Sequence, residues 1–230
     1  MTAVVMQARM GSTRLPAKSL LPLGGSTIVG QTMARLALVP ADAYVLATDE
    51  ASAAVLGLAA ERGGFELLVG PAEDVLSRSC LAIRRFGIDL VLRATGDNPL
   101  VSQELAALLI KRRGDTASDY AAHLGMPLGM GVELVAAEAL LRAEAAAKEP
   151  DEREHVCPYL YRHPELFRVD RSDAPPDYLL GGASVTVDTA ADYEAMLRIY
   201  GALYDGRPIP SAAVLVYLRS VALLKGVGQP

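Results

Sequence analysis

Four short apolar runs, each followed by a stretch of helical periodicity, fill the first half of this chain and leave few folds open to it. The runs are residues 4–8, 44–48, 67–69 and 90–95. Helical patterns follow over 27–38, from Glu50 to the Gly63-Gly64 pair, over 72–86 and over 102–113, the last with Ser102 as a cap and Gly114 beyond its end. Strands that alternate with helices at this spacing form βαβ units, and near-continuous apolar runs mark strands covered on both faces. The expected class is therefore α/β, with a mostly parallel mixed sheet and helices on both faces. At 230 residues and 51% hydrophobic content, one domain covering 1–230 can bury a large core.

The rhythm is lost between 115 and 177, where irregular strand pieces surround a turn-rich segment, 125–131, and two helices expected over 137–148 and 151–161. This middle region reads as an insertion that serves an acceptor substrate or a subunit contact. Order returns with a strand predicted over 184–188. A capping box at Thr189 and Asp192 then starts a helix over 190–204 that should bury Tyr193, Met196, Leu197 and Tyr200. A last helix over 211–224 carries Val214, Leu215, Leu218 and Leu223, and the tail 226–230 is expected to fray.

Bulk charge narrows the partners. A net charge of −5 lacks the basic footprint of a general nucleic-acid or anionic-membrane binder. The two cysteines, Cys80 and Cys157, have neither zinc-ligand spacing nor a disulfide framework, which suits a reducing cytoplasm. No run approaches the roughly 18 apolar residues of a membrane span.

Chemistry concentrates behind the first strand. QARMGSTRLPAK, residues 7–18, holds Gly11, the hydroxyl residues Ser12 and Thr13, and the cations Arg9, Arg14 and Lys18. Arg9 and Lys18 can flank one anion, with backbone N–H groups near Gly11 and Ser12 completing a nest. An ordinary surface loop with solvated cations is the plainer alternative. Neither a P-loop nor a dinucleotide fingerprint occurs in the chain. The link from Ala8 to the first helix is about eighteen residues long, a length that is usually functional or disordered.

Asp97 follows the strand 90–95, and Asp188 ends the strand predicted over 184–188. In open α/β sheets ligands bind beyond the carboxyl ends of the strands, so both carboxylates should meet there. Two carboxylates converging on a polyphosphate suit Mg²⁺, although each could instead serve a turn or a helix start. Thr48 and Asp49 lie at another strand end, where they could touch a nucleoside or cap the next helix. Arg93 interrupts an otherwise apolar strand and must meet a carboxylate or a phosphate. With Gln7, Ala8, Gly11, Ser12 and Arg78, these residues form the nucleotide-contacting candidates. Glu133, Arg153 and His155 are candidates for an acceptor pocket, whereas His123 and His163 have no metal-ligand spacing.

Four motifs in order carry a family likeness. QARMGSTRLPAK (7–18), RATGDNPL (93–100), EREHVCPY (152–159) and VTVDTAADY (185–193) resemble cytidylyltransferases of the spore-coat-polysaccharide type, relatives of the acylneuraminate and 3-deoxy-manno-octulosonate cytidylyltransferases. The resemblance implies a nucleotide-diphosphosugar-transferase-like, Rossmann-like fold. It implies that an acceptor oxygen attacks the α-phosphorus of CTP and releases pyrophosphate, with Arg9 and Lys18 on the triphosphate and Asp97 and Asp188 on Mg²⁺. It also implies a homodimer formed through the middle region and a small anionic acceptor. Two departures stand out: Ala17 replaces the glycine usual before the lysine, and PLGMGVE (127–133) lacks the acidic residue often found before its Val-Glu. A metal-dependent glycosyltransferase usually carries Asp-x-Asp, which is missing from the chain. A catalytically silent nucleotide-binding protein is the non-enzyme alternative.

Overall fold

The computed structural model describes residues 1–226. Its first half alternates as expected through β1 (Thr2–Gln7), the short hairpin β2 (Pro22–Leu23) and β3 (Ser26–Thr27), α1 (Ile28–Leu36), β4 (Ala43–Thr48), α2 (Glu50–Gly63), β5 (Glu66–Val69), α3 (Val75–Phe86), β6 (Leu90–Thr95) and α4 (Gln103–Thr116). Then come β7 (Tyr120–Leu124), β8 (Glu133–Ala136), α5 (Ala137–Ala146), α6 (Pro150–His155), α7 (Pro158–Arg162), β9 (Val169–Asp173), α8 (Ala190–Leu203) and α9 (Ser211–Gly226). Besides Thr189 at the start of α8, four helix starts are chemically marked. Thr27, Asp49, Asp74 and Ser102 each accept an N–H from three residues on, which satisfies an otherwise orphaned donor.

The seven strands of the main sheet lie in the order β5-β4-β1-β6-β8-β7-β9. Pairing is parallel from β5 through β6, antiparallel from β6 to β8 and from β8 to β7, and parallel again from β7 to β9. Alternation along the strands builds two cores. Ala3, Val5, Val91 and Val135 pack beneath α3, α5 and α7, while Val4, Met6, Leu46 and Leu92 pack against α1, α2 and α4. A third cluster joins α8 and α9 to Ile28, Leu100, Val185 and Val187. Arg35 of α1 fastens that cluster, donating to the carbonyls of Val101 and Ile209 and to Ser211 Oγ.

Several local expectations change. The long link after β1 is shaped by a 3₁₀ turn at Lys18–Leu20 and by the β2–β3 hairpin, whose Gly24 and Gly25 turn at φ 53° and 71°. Helix α4 runs through Gly114 and ends at Thr116, with Ala117 in the left-handed conformation. The helix expected over 151–161 is two short ones, α6 and α7. Val156 turns at φ 74° between them, and Pro158, without an N–H, can begin a helix but not continue one. The middle region supplies β7, β8 and β9 to the main sheet.

Residues 184–188 form no strand. Ser184 makes an isolated bridge to Leu128, and the N–H groups of Val185 and Val187 donate to the carbonyls of Leu128 and Asp97. The segment's neighbours are loops, so no ladder can propagate. In α8 the capping box is present, but Leu197 is exposed and Ile199 takes its place in the core; Leu223 of α9 is also exposed. Of the tail expected to fray, Gly226 ends α9 and 227–230 lie outside the described residues.

Candidate active site

The carboxyl ends of β1 and β6 open into a cleft of about 630 Å³, within the usual range for a small-molecule site. Its lining includes Gln7, Ala8, Arg9, Gly11, Ser12 and Lys18 from the first loop. Arg78 enters from α3, Arg93 from β6, Asp97 from the turn after it, His155 from α6, and Asp188 from the extended segment before α8.

Two bonds tie the loop to neighbouring elements and one turns it from within. Met10 N–H donates to Ser52 Oγ, Ser12 N–H to the Met10 carbonyl, and Thr48 Oγ1 to the Ala8 carbonyl. Ser12's amide is thus already bonded and does not serve the expected nest. Ala17 takes the left-handed conformation at φ 53°, and the 3₁₀ turn that follows carries Lys18 into the cleft.

Lys18 joins the two carboxylates predicted to converge. Its Nζ lies 2.7 Å from Asp97 Oδ2 and 2.7 Å from Asp188 Oδ1. Burial alone would lower the Lys18 pKa, but the charge of Asp97 and the bond to Asp188 outweigh it and hold the ammonium above its ordinary value. Arg14 adds a contact of 3.1 Å to Asp188. Backbone bonds fix the geometry: Val187 N–H to Asp97 O at 3.0 Å, and Gly96 N–H to Gln7 O at 2.8 Å. Gly129 lies against this junction with φ 92°, where an added Cβ would sit 2.8 Å from Thr186 N and 3.0 Å from Asn98 Oδ1. Only glycine tolerates both that conformation and that contact.

The donor set fits a hard cation. Two carboxylate oxygens already grip one positive charge, and oxygen ligands of this kind suit Mg²⁺ when phosphate and water oxygens complete the shell. Among the described residues no group of three or more acidic, histidine or cysteine side chains could hold a metal alone. Completion would therefore fall to the substrate.

Four of the eight buried polar side-chain atoms without partners among the described residues lie at the same place. Gln7 Oε1, Arg78 Nε, Arg93 Nε and Asn98 Oδ1 are buried and unbonded among the described residues, and all four side chains line the cleft. Desolvated groups left unpaired in a native fold call for a cause, and a polar ligand around which these side chains readjust supplies one. Arg78 donates Nη1 to the carbonyls of Pro71 and Ala72, and burial holds its pKa below the ordinary value.

Four sequence candidates lie outside the lining. Thr48 is turned to the Ala8 carbonyl, and Asp49 caps α2 by accepting Ser52 N–H. Glu133 faces Arg93 Nη1 and the Tyr120 hydroxyl, each at 2.7 Å. Arg153 pairs with Asp74 and donates to the Glu144 carbonyl, tying α6 to the start of α3. Conversely, the cleft admits residues that the sequence did not single out, among them Glu154, whose Oε1 lies 3.4 Å from Arg9 Nη2, and Gly129. Glu154 was legible as the neighbour of His155; Gly129 was one glycine among several in a turn-rich stretch.

A mostly parallel mixed sheet with a polar cleft at its strand ends is the Rossmann-like architecture of nucleotidyltransferases. The model of the cytidylyltransferase family matches residues 3–205, and the chain belongs to that family. The spore coat polysaccharide biosynthesis protein SpsF of Bacillus subtilis is 35% identical over 221 residues, covering 93% of this chain and 92% of that protein. Among solved structures, a cytidylyltransferase from Leptospira borgpetersenii superposes with a TM-score of 0.87 at 25% identity, over 100% of this chain and 98% of its own. A CMP:2-keto-3-deoxy-manno-octonic acid synthetase complexed with CTP superposes with a TM-score of 0.65 at 16% identity, over 87% and 98%, a likeness of fold.

Proposed function

We propose that this cytidylyltransferase joins CMP from CTP to a small anionic acceptor, a sugar acid, sugar phosphate or phosphonate, and releases pyrophosphate. The observation that carries the reading is the single Lys18 ammonium gripped by Asp97 and Asp188 beneath a loop of further cations. A cation loop alone could hold any phosphate, whereas opposed carboxylates are suited to a metal-bound phosphate undergoing substitution.

In this reading Arg9, Lys18 and Arg78 bind the nucleotide with Gln7, Ala8, Gly11 and Ser12, and Arg9 and Lys18 stabilise charge on the departing pyrophosphate. Nucleotidyl transfer needs positioning and charge neutralisation more than covalent help. Asp97 and Asp188 would hold Mg²⁺, whose contribution is to polarise the α-phosphate. His155, with Glu154 beside it, belongs to the acceptor side. Residues 115–177 complete that side and supply a homodimer contact within one domain. The two unpaired, buried cysteines, Cys80 and Cys157, suit a cytoplasmic setting.

Pyrophosphate release is measured with CTP, UTP, ATP and GTP and Mg²⁺ against a panel of anionic acceptors. Release with CTP and one acceptor class is expected. No release with any combination, together with sugar transfer from a nucleotide sugar, would replace this reading by a glycosyltransferase.

A further inference from the structure

Arg93 is held as a receptor is held. It lies between β1 and β8 in one row across the sheet, opposite Val5 on one side and Glu133 on the other. Residues directly opposite in a sheet project to the same face. The next row toward the strand ends, Gln7 and Thr95, lines the cleft, so Arg93 reaches it from just beneath.

Its one hydrogen bond among the described residues runs from Nη1 to Glu133 Oε2, at 2.7 Å. Glu133 is itself fixed, since the Tyr120 hydroxyl donates to Oε1 at 2.7 Å. Burial raises the Tyr120 pKa, so the hydroxyl keeps its proton and remains a donor. Arg93 lines the cleft with 17% of its side chain exposed while Nε is buried, which leaves Nη2 as the donor presented to a ligand.

Arg78, which is buried, and Arg93, which is half-buried, differ in how their charges are met. Arg78 is hydrogen-bonded only to carbonyls; Asp49 and Asp74 lie near it without bonding to it and Arg9 adds like charge, so no single carboxylate is committed to it. Arg93 has its charge offset by Glu133. A guanidinium edge fits carboxylate and phosphate alike, but the Glu133 carboxylate behind it repels a dianionic phosphate ester more than a monoanionic carboxylate. The order of strands separates the two: α3, which carries Arg78, packs on β4 and β1, and Arg93 lies on β6 toward β8.

We propose that Arg93 is the specificity residue for the acceptor, its guanidinium aimed by Glu133 and Tyr120 to receive the carboxylate of a sugar acid. This rests on the cytidylyltransferase reading above, and moves Arg93 from the nucleotide to the second substrate.

The test uses the whole protein with Mg²⁺ and CTP, and 3-deoxy-manno-octulosonate, N-acetylneuraminate, glucose 1-phosphate and glycerol 3-phosphate as acceptor probes. Pyrophosphate release with a carboxylate acceptor is expected. Arg93→Lys keeps a charge facing Glu133, and with it the fold, but loses the planar donor edge. It should raise the acceptor's KM at least 20-fold and change the KM for CTP less than twofold. Tyr120→Phe should raise the acceptor's KM severalfold with kcat unchanged, a split that simple loss of stability does not produce. Preference for either phosphate ester, or an Arg93→Lys effect equal on both substrates, overturns the proposal. Calorimetry with CTP separates the failures. A wild-type protein that binds no CTP sinks the cytidylyltransferase reading and this inference with it. One that binds CTP but uses neither carboxylate probe overturns the Arg93 assignment alone.

Discussion

Asp97 and Asp188 face one another across a single ammonium, Lys18 Nζ being 2.7 Å from an oxygen of each. Two carboxylates brought this close repel unless a cation lies between them. If the pair serves a metal, Asp97→Asn or Asp188→Asn should lower turnover at least about 100-fold, the scale of losing one preorganised charge contact in an active site. The fold should survive, because in each variant Lys18 keeps one carboxylate partner. Turnover at saturating Mg²⁺ together with thermal melting checks both halves; wild-type turnover in both variants sinks the assignment.

The same geometry makes Lys18 a competitor for the metal position. In the nucleotide-free protein Mn²⁺, followed by electron paramagnetic resonance, should bind weakly, and CTP should strengthen binding by drawing Lys18 to the triphosphate and adding phosphate oxygens. Lys18→Ala should bind Mn²⁺ at least tenfold more tightly than wild type without nucleotide, yet turn over CTP poorly. Tight Mn²⁺ binding by the wild-type protein alone would contradict the competition.

How much of this was legible follows from what each signal measures. Period and punctuation fixed β1, β4, β6 and the capped helices, because strand burial and helix capping are local properties of the chain. They also brought Asp97 and Asp188 to one place through the rule that ligands gather beyond strand ends, even though 184–188 forms no strand. What sequence could not resolve was partner choice. Asp49 had two local uses open and the cap prevails, its oxygen 2.8 Å from Ser52 N. Arg93 required an anion, but Glu133 as that anion depends on β8 pairing antiparallel to β6, a long-range register with no local signature. Gly129 matters through contacts with Thr186 and Asn98, both distant in sequence.

Gly129 gives the third prediction. Alanine there must hold φ near 92° and push its Cβ into the Thr186 backbone and the Asn98 side chain. The expected cost is about 1–3 kcal/mol of stability, read by denaturant unfolding. Turnover should fall more than tenfold, because the displaced segment carries Asp188. Leu128→Ala, at a side chain 67% exposed, should stay within about 0.5 kcal/mol of wild type. Equal stability of the two variants would show that the loop moves freely.

Both cysteines should be inert in the native protein. Burial pushes the Cys80 thiol up to about 12 and raises that of Cys157 well above its ordinary value. The thiolate is the reactive form and both side chains are enclosed. A disulfide reagent at pH 8 should therefore titrate neither until denaturant is added, and two afterwards. Rapid reaction of a native thiol would mean that α3 or the α6–α7 junction opens on that timescale.

Ala17 tests whether the loop after β1 carries strain. Its φ of 53° and ψ of 26° place an L-residue with a Cβ in the left-handed region, which costs roughly 1–2 kcal/mol. Glycine removes that cost but gives the unfolded chain more freedom, a loss of about 0.4–1 kcal/mol. Relief outweighs freedom, so Ala17→Gly should stabilise the protein by about 0.5–1 kcal/mol and raise Tm by a few degrees at most, since about 1 kcal/mol moves a chain of this size by roughly 2–4 °C. The 3₁₀ turn that presents Lys18 begins at the next residue, so its direction depends on the same dihedrals. If alanine serves to hold that turn rigid, the glycine variant should show a higher KM for CTP despite its greater stability. If KM is unchanged while Tm rises, the strain is local to Ala17 and Lys18 is positioned by Asp97 and Asp188 alone.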